Sequence, residues 1–580
     1  MQSRLKKVFP ILEWLPGYRK SWLSGDLSAG LTVGIMLIPQ GMAYAMLAGL
    51  EPIHGLYAVT VPLVLYAIFG TSRQLAVGPV AMVSLLTAAG IGALEPSGPE
   101  QYLLYALTLA FLVGLIQAGM GLLRLGFVVN FLSHPVISGF TSAAAVIIGL
   151  TQVKHLFRID LPRSEHAHEV VFAIFQNIGD IHWLTFAIGV AAIVMIKFGK
   201  KIHRAFPGAL AAVVVGILAV WAFGLSAKGV EIVGDVPGGL PDLSLPSFEL
   251  SGWITLLPIA VAISFVGFAE SYAVAKTIQA KKKDYKLDAN KELIALGMAN
   301  FGAAFFNGYP VTGGFSRTAV NNEAGAKTTM ASIISAGLVV LTLLFFTGLF
   351  FNLPNAVLAA VVIVAVSGLV DFKEPVKLWK KDRSDFAMLT ATFAVTLTFG
   401  IEPGILTGLI LSLVMVIYRA SNPHMARLGR VPGTNIFRNV KRFDNLETRD
   451  ELLMVRVDGP VYFANVAYIK GKLDKWVERQ QASLKLIVMN MESVTNLDST
   501  GAHEMYEWIT DWRSAGYDVC VTGTKGPVRD KLNVWGLIEC VGPDHMFLDD
   551  ESAIAFFDQK PASLDSEILG RYATQSGESR

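Results

Sequence analysis

Apolar residues in this chain fall in long unbroken runs rather than in stripes. Runs of spanning length occupy about 28–50, 53–70, 101–123, 127–153, 181–199, 206–224, 252–278, 327–352, 354–371, 384–400 and 402–420, with a weaker one at 288–306 that is polar at its start. Each is expected to form a membrane-crossing helix. Two further segments, 74–92 and 309–326, are interrupted by Gly and Pro, so neither piece is long enough for a full crossing. Beyond residue 420 the pattern changes to short alternating elements. Strands are expected at 452–457, 484–489 and 517–523, and helices at 464–480 and 498–514, which together predict a small α/β domain over 435–560. The last residues, 561–580, are polar and are expected to be disordered.

If each interrupted segment counts as one crossing, fourteen result, and the interrupted ones stand third and tenth. They therefore occupy matching places in two halves of seven. Because seven is odd, the halves must lie in the bilayer with opposite orientations, which is an inverted repeat. A faint echo supports it, since Ala43-Tyr44-Ala45 in the first span matches Ser271-Tyr272-Ala273 in the eighth. The expected divisions are an N-terminal segment 1–25, a first repeat 26–225, an outer loop 226–250 and a second repeat 251–420.

Charge sets the orientation. Basic clusters at Arg4/Lys6/Lys7/Arg19/Lys20, Lys197/Lys200/Lys201/Arg204, Lys281/Lys282/Lys283/Lys286, Lys373/Lys377/Lys380/Lys381/Arg383 and Arg419/Arg427/Arg430 are separated by six, two, four and two crossings. All intervals are even, so every cluster falls on the cytoplasmic side, with both termini. The loop 226–250, carrying Glu231, Asp235, Asp242 and Glu249 against Lys228, then lies outside. Composition agrees: 53% of residues are apolar and 16% charged, and the mean hydropathy is +0.50. A net charge of +2 gives no footing for a nucleic-acid partner. Both cysteines, Cys520 and Cys540, lie in the tail without metal-ligand spacing, which suits a reduced compartment. With no small-residue cleavage site ahead of the first run, that run is expected to be retained as a span. The setting expected is the inner (plasma) membrane of a bacterium.

Several residues are chemically out of place in apolar spans. In 309–325, Pro310, Gly313 and Gly314 allow an extended entry to a helix starting near Phe315, with Ser316 and Arg317 in its first turn. Arginine beside unpaired helix-start N–H groups would trap an oxyanion; alternatively it pairs with a carboxylate to lock packing, or sits at a cytoplasmic rim. The counterpart Val77-Gly78-Pro79-Val80-Ala81 offers close backbone approach at Gly78 and a first-turn proline at Pro79, or else a plain proline kink. Gln40 and Tyr44, four apart, share one helical face of the first span and suggest a wet cavity. Glu270, among Phe265, Val266, Phe268, Tyr272 and Val274, is the sharpest ionisable signal. A carboxyl buried there is expected to favour its neutral form and to exchange a proton near neutral pH, unless it forms a structural ion pair with Arg317 or Lys276. Asn300, Asn307, Asn321 and Asn322 are assigned packing or capping, with no direct role. No Walker A sequence, kinase set or Gly-x-Ser-x-Gly elbow supports an enzyme or an ATP-driven pump, and no cofactor or resident metal is expected.

The runs Ile38-Pro39-Gln40-Gly41-Met42-Ala43-Tyr44-Ala45, Pro52-Ile53-His54-Gly55-Leu56-Tyr57 and Phe69-Gly70-Thr71-Ser72-Arg73-Gln74-Leu75-Ala76-Val77-Gly78-Pro79 resemble the signature of the SulP family of anion transporters. Thr312-Gly313-Gly314-Phe315-Ser316-Arg317-Thr318-Ala319-Val320-Asn321-Asn322 is similar to that family's second hallmark, and the tail resembles its STAS domain. The resemblance implies an α-helical membrane protein of fourteen transmembrane segments in a seven-plus-seven inverted repeat. It also implies a uracil-transporter-like core (spans 1 to 4 and 8 to 11) moving against a gate (5 to 7 and 12 to 14), followed by a cytoplasmic α/β STAS domain. Substrate would bind between spans 3 and 10, with Gln40, Tyr44, Ser316 and Arg317 lining the anion site, and Glu270 would take the cation-coupling position. The STAS domain would mediate homodimerisation and regulation through a cytoplasmic protein partner. Ser499 or Thr500 would be the candidate phosphorylation site, though the turn is equally a helix cap.

Proton-coupled sulfate import is the leading expectation. Sodium-coupled bicarbonate uptake is the runner-up, disfavoured by Ala269, Ala273 and Val274 beside Glu270, because sodium needs several oxygen ligands. Bicarbonate carriers of the family also tend to lack an arginine like Arg317. An uncoupled anion exchanger or channel follows if Glu270 is only structural, and a membrane-bound sensor is a further class that the set of polar site groups disfavours.

Overall fold

A computed structural model describes residues 8–92, 94–131, 133–161, 167–202 and 208–558. The chain divides into two compact units, Met1–Ser412 and Leu413–Arg580. With no water in lipid to satisfy backbone groups, the apolar runs of the first unit have to close their hydrogen bonds internally, and helices do so. These are α1 (Lys20–Leu47), α2 (Pro52–Tyr57), α3 (Val61–Phe69), α4 (Ala81–Gly92), α5 (Pro99–Leu122), α6 (His134–Thr151), α7 (Ala167–Gln176), α8 (Trp183–Ile202) and α9 (Gly208–Phe223). The second half supplies α10 (Leu250–Lys282), α11 (Ala289–Phe305), α12 (Phe315–Glu323), α13 (Met330–Phe345), α14 (Asn355–Ser367), α15 (Lys373–Lys381), α16 (Arg383–Phe399) and α17 (Ile401–Ser421). Helix fills most of the described residues of each expected span, with 53–70 broken at 58–60 into α2 and α3. Among the described residues, six helices are individually long and apolar enough to cross a membrane.

The two interrupted segments each begin as a strand. β1 (Val77–Gly78) precedes α4, and β2 (Thr312–Gly313) precedes α12. They pair antiparallel, Val77 opposite Gly313 and Gly78 opposite Thr312. An antiparallel pair of equivalent strands is what a two-fold axis in the membrane plane requires. The helix packing has the same symmetry. When the fourteen segments are numbered in order, α5 on α11 (fourth on ninth) is matched by α13 on α3 (eleventh on second). Likewise α1 on α13 (first on eleventh) is matched by α10 on α5 (eighth on fourth), and α6 on α16 (fifth on thirteenth) by α14 on α8 (twelfth on sixth).

The first span starts earlier than expected, at Lys20, and contains Asp26 rather than following it. Asp26 is buried and accepts from the Tyr18 hydroxyl (3.0 Å), the backbone N–H of Lys327 (2.6 Å) and Thr328 (3.0 Å), and Thr328 Oγ1 (2.7 Å). That carboxylate ties the start of the first half to the second, and its four partners explain how a charge sits inside the packing. Glu292 on α11 is satisfied in the same way by Tyr66, Thr71 and Ser72. The loop between α9 and α10 is irregular but anchored, with Val233 N–H on the Leu353 carbonyl and Ser244 N–H on that of Phe305. Helices not expected among the described residues of this unit include α7 in the gap after α6, the basic α15, and the short Ile11–Trp14 and Val153–Phe157.

The second unit is a six-stranded sheet of β3 (His424–Arg430), β4 (Phe437–Asn439), β5 (Leu452–Asp458), β6 (Leu486–Asn490), β7 (Asp518–Thr522) and β8 (Met546–Phe547), in the order β4-β3-β5-β6-β7-β8. β5 to β8 are parallel, and β3 is antiparallel to both β4 and β5. Helices α18 (Val466–Gln480) and α19 (Ser499–Ser514) are the crossovers β5 to β6 and β6 to β7, followed by α20 (Gly526–Val534), α21 (Leu537–Val541) and α22 (Asp550–Phe557). The expected start at 435 is corrected, because β3 is an interior strand of the sheet and begins at His424. Two of its residues, Arg427 and Arg430, read in sequence with Arg419 as a membrane-flanking basic cluster and hid a strand most of whose other positions are buried. The tail expected over 561–580 lies outside the described residues.

Candidate functional site

Each short strand is held from several sides, and the hold explains why it stays extended at membrane depth. Asn300 of α11 accepts the Val311 N–H (2.8 Å) and donates to the Val311 carbonyl and to Gln117 Oε1 (both 3.0 Å). Ser271 of α10 accepts the Gly313 N–H (2.7 Å) and donates to Thr312 Oγ1 (2.7 Å), which itself donates to the Gly267 carbonyl (2.7 Å). Across to the first half, Gly314 N–H reaches the Ala76 carbonyl, Ala76 N–H reaches Thr318 Oγ1 (both 3.0 Å), and the Asn321 amide reaches the Gln74 carbonyl (2.9 Å). The backbone groups that a sheet edge would leave bare in lipid are thereby paired.

Arg317 comes out of this clamp into a slot that glycines leave open. Gly78 sits at φ +148°, which favours glycine, and a Cβ added there would approach Val59 to 2.9 Å and Arg317 Nη2 to 3.5 Å. A Cβ on Gly314 would lie 2.7 Å from Nη2. The guanidinium therefore lies flat against backbone from both halves. Arg317 is only 2% exposed; Nη1 donates to the Pro79 carbonyl at 2.7 Å and stands 3.5 Å from Gln40 Oε1. Nε and Nη2 have no acceptor. Two unpaired N–H groups on a buried cation are costly, each by roughly 1–3 kcal/mol, and the pair forms a fork matched to two oxygens of one oxyanion.

The expected site residues divide into two groups. Gln40, Val77, Gly78, Pro79 and Arg317 meet at the strand crossing, and the Tyr44 phenol and the Glu270 carboxyl lie within electrostatic reach of the Arg317 charge. Phe315 and Ser316 head α12 and are exposed. Pro79 departs from its expected place in a first helical turn: α4 starts at Ala81, and Pro79 serves through its carbonyl. The structural ion pair considered for Glu270 is absent among the described residues. No Arg317 or Lys276 contact within 4.0 Å of its carboxylate is formed, and Lys276 lies instead over the Tyr272 ring at 5.9 Å. Asn300 and Asn321, set aside in sequence as packing residues, hold the strands that carry the site. Their signal was amide side chains within apolar segments. Among the described residues no group of three or more His, Cys, Asp or Glu could hold a metal ion.

In the tail, Asp498 caps α19 by accepting the Gly501 N–H (2.7 Å), and its other oxygen accepts the Phe463 N–H (3.0 Å). Ser499 and Thr500 occupy the exposed first turn behind that cap.

Residues 23–392 match the sulfate permease family, and residues 445–553 match the STAS domain. The chain belongs to the sulfate permease family. Within it, the chain is similar to sulfate transporter 4.1, chloroplastic, of Arabidopsis thaliana, at 40% identity over 94% of this chain and 82% of that protein. High affinity sulfate transporter 2 of Stylosanthes hamata is 33% identical over 97% of this chain and 88% of its own. The murine solute carrier 26 family member A9 anion transporter, solved in the inward-facing state, matches with a TM-score of 0.89 at 25% identity, over 97% of this chain and 95% of that one. The transmembrane domain of the cyanobacterium bicarbonate transporter BicA shares the fold at a TM-score of 0.60 and 24% identity, over 68% of this chain and 98% of that one. The protein is thus a multi-pass helical membrane transporter of the sulfate permease family, with a C-terminal STAS domain.

Proposed function

We propose that the protein is a secondary active transporter that imports sulfate together with protons by alternating access. The observation that carries this reading is the Arg317 fork: a buried guanidinium with two unpaired donors, laid on backbone contributed by both halves. A tetrahedral dianion suits it, because two of its oxygens can take the fork while the N-terminal N–H groups of α12 face a third. Gln40 and Tyr44 would line the anion, and Phe315 and Ser316 would meet it from the exposed end of α12. Glu270 would carry the coupling proton. Its lack of an ion pair among the described residues favours that role over a structural one, and Ala269, Ala273 and Val274 around it do not furnish a sodium cage. Both plant relatives named above are sulfate transporters, which supports this substrate over bicarbonate.

The movement would be of the block containing α1 to α5 and α10 to α13, which carries the site, against the block of α6, α8, α9, α14, α16 and α17. Uptake of radiolabelled sulfate into proteoliposomes, with and without an inward proton gradient, tests the reading. Accumulation should require the gradient and should not be replaced by a sodium gradient. Uptake indifferent to protons would reduce the proposal to anion exchange, and no sulfate uptake would remove the substrate.

A further inference from the structure

The basic residues that follow the last span take a place in the fold that transport does not use. α17 ends at Ser421, and within the same compact unit the Ala420 carbonyl accepts the Asn465 side-chain amide at 3.3 Å. β3 starts at His424, so no more than about 20 Å of chain separates the end of the span from Arg427. From His424 to Phe443 the chain carries Arg427, Arg430, Arg438, Lys441 and Arg442 and no acidic residue. Arg430 pairs with Glu551 of α22. Alternation along β3 turns Arg427 to the opposite face of the sheet, where Arg479 at the end of α18 stands in its field. Arg438, paired with Gly429, shares that face. The Val440 N–H, bonded to the Arg427 carbonyl at 3.1 Å, brings Lys441 and Arg442 to the same edge.

Among the described residues, Arg427, Arg438, Lys441, Arg442 and Arg479 form no ion pair within 4.0 Å. Arg427 is half-buried, and burial and Arg479 both push its pKa down from the ordinary value, as expected of a cation beside another cation without a counter-charge. Phe443, next to Arg442, is 51% exposed. A free anion would meet the charges and leave that ring in water. An anionic leaflet meets both, because its phosphates stand at the surface and its acyl boundary accepts an aromatic ring. The patch is also tethered beside the bilayer by α17. We propose that the β3–β4 edge of the tail, with Arg427, Arg438, Lys441, Arg442 and Phe443, binds anionic phospholipid headgroups of the leaflet that α17 leaves.

Hydrogen exchange on the full-length protein in nanodiscs tests this, with phosphatidylcholine alone as one bilayer and phosphatidylcholine mixed with phosphatidylglycerol as the other. Exchange of segment 437–443 should be about fivefold slower in the phosphatidylglycerol bilayer at low salt, and high salt should erase the difference. Lys441→Gln combined with Arg442→Gln, both at exposed positions, should remove the lipid-dependent slowing while β6 and β7 keep their protection. Equal exchange in the two bilayers would overturn the proposal. Slowing that survives high salt or the paired charge removal would overturn it too, and would assign the contact to protein, such as a second copy of the chain. If the paired variant loses protection in β6 and β7, the salt arm on the unaltered protein decides.

Discussion

Arg317 costs the fold free energy and, on the proposed role, returns it only when an anion is bound. Removing it should therefore not unfold the protein. Arg317→Ala is expected to keep or raise the thermal midpoint, because two unpaired buried donors disappear, while sulfate affinity falls about a hundredfold, the equivalent of roughly 3 kcal/mol for a charge-assisted bidentate contact. Lysine should recover only part of the affinity, since a point charge cannot reproduce the planar fork. Sulfate uptake at the normal rate by a folded Arg317→Ala protein would refute the assignment. Gly314→Ala tests the slot rather than the charge: its Cβ would lie 2.7 Å from Nη2, so the guanidinium must tilt, and affinity should drop about tenfold with folding retained. What was legible at this scale followed chemical type. An arginine, a glutamine and a glutamate inside apolar runs stand out in any sequence. The Pro79 carbonyl that accepts from Arg317 does not, because every residue has a carbonyl and only the fold selects one. The exposure of Ser316 was equally invisible, since which side of a helix start faces the protein depends on packing from distant segments.

At the scale of elements, the spans were legible because lipid leaves a backbone one choice, and the crossing strands were legible as places where Gly and Pro forbid that choice. Elements whose polarity is mixed were not. α7 is a short amphipathic helix in a polar gap, and β3 carries three basic residues in seven. The strands depend on side-chain clamps, and Asn300 is the most connected. Asn300→Ala would strand both the N–H and the carbonyl of Val311, so the thermal midpoint of purified protein should fall by the equivalent of about 2–3 kcal/mol. An unchanged midpoint would mean that the strand needs no such clamp. In the tail, Asp550 on α22 offers a pH test. Burial pushes its carboxyl up from the ordinary value, only partly countered by hydrogen bonds from Thr522 and Asn490. The native tail then keeps a proton where the unfolded chain has lost it. Stability from this group is full below the ordinary carboxylate pKa and declines as pH rises through the raised one. Hydrogen-exchange protection of β6 and β7 should therefore weaken as pH rises above the ordinary carboxylate value, and Asp550→Asn should flatten that slope.

For the whole molecule, the chain divides into two compact units, and the proposed transport site lies within the first. All proposed site groups precede residue 413, so truncation after Asn422 should leave sulfate affinity within about twofold, although assembly or rate changes. Loss of binding in a monodisperse truncated protein would show that the tail contributes to the site. The coupling question belongs to this scale too, because it concerns net charge moved across the membrane rather than any one contact. Sulfate carries two negative charges, and moving each inward against a negative interior costs about 2.3 kcal/mol per 100 mV. Cotransported protons offset that cost, so a proton carrier in the transport cycle makes uptake faster as external pH falls. Glu270 stands where it can act on Arg317 without an ion pair to lock it, so its protonation would change the field at the anion site in step with loading. Glu270→Gln fixes the neutral form. It should lose the acceleration at low external pH and the accumulation driven by a proton gradient, yet keep sulfate counterflow, because exchange needs no net proton movement. Uptake against pH and counterflow, measured on both proteins, separate the driving force from the carrier cycle. If the Gln variant keeps the pH dependence and still accumulates sulfate against its gradient, Glu270 is not the coupling group and transport proceeds without a proton at that site. If counterflow is lost as well while the protein stays folded, Glu270 serves the anion site itself, beside Arg317.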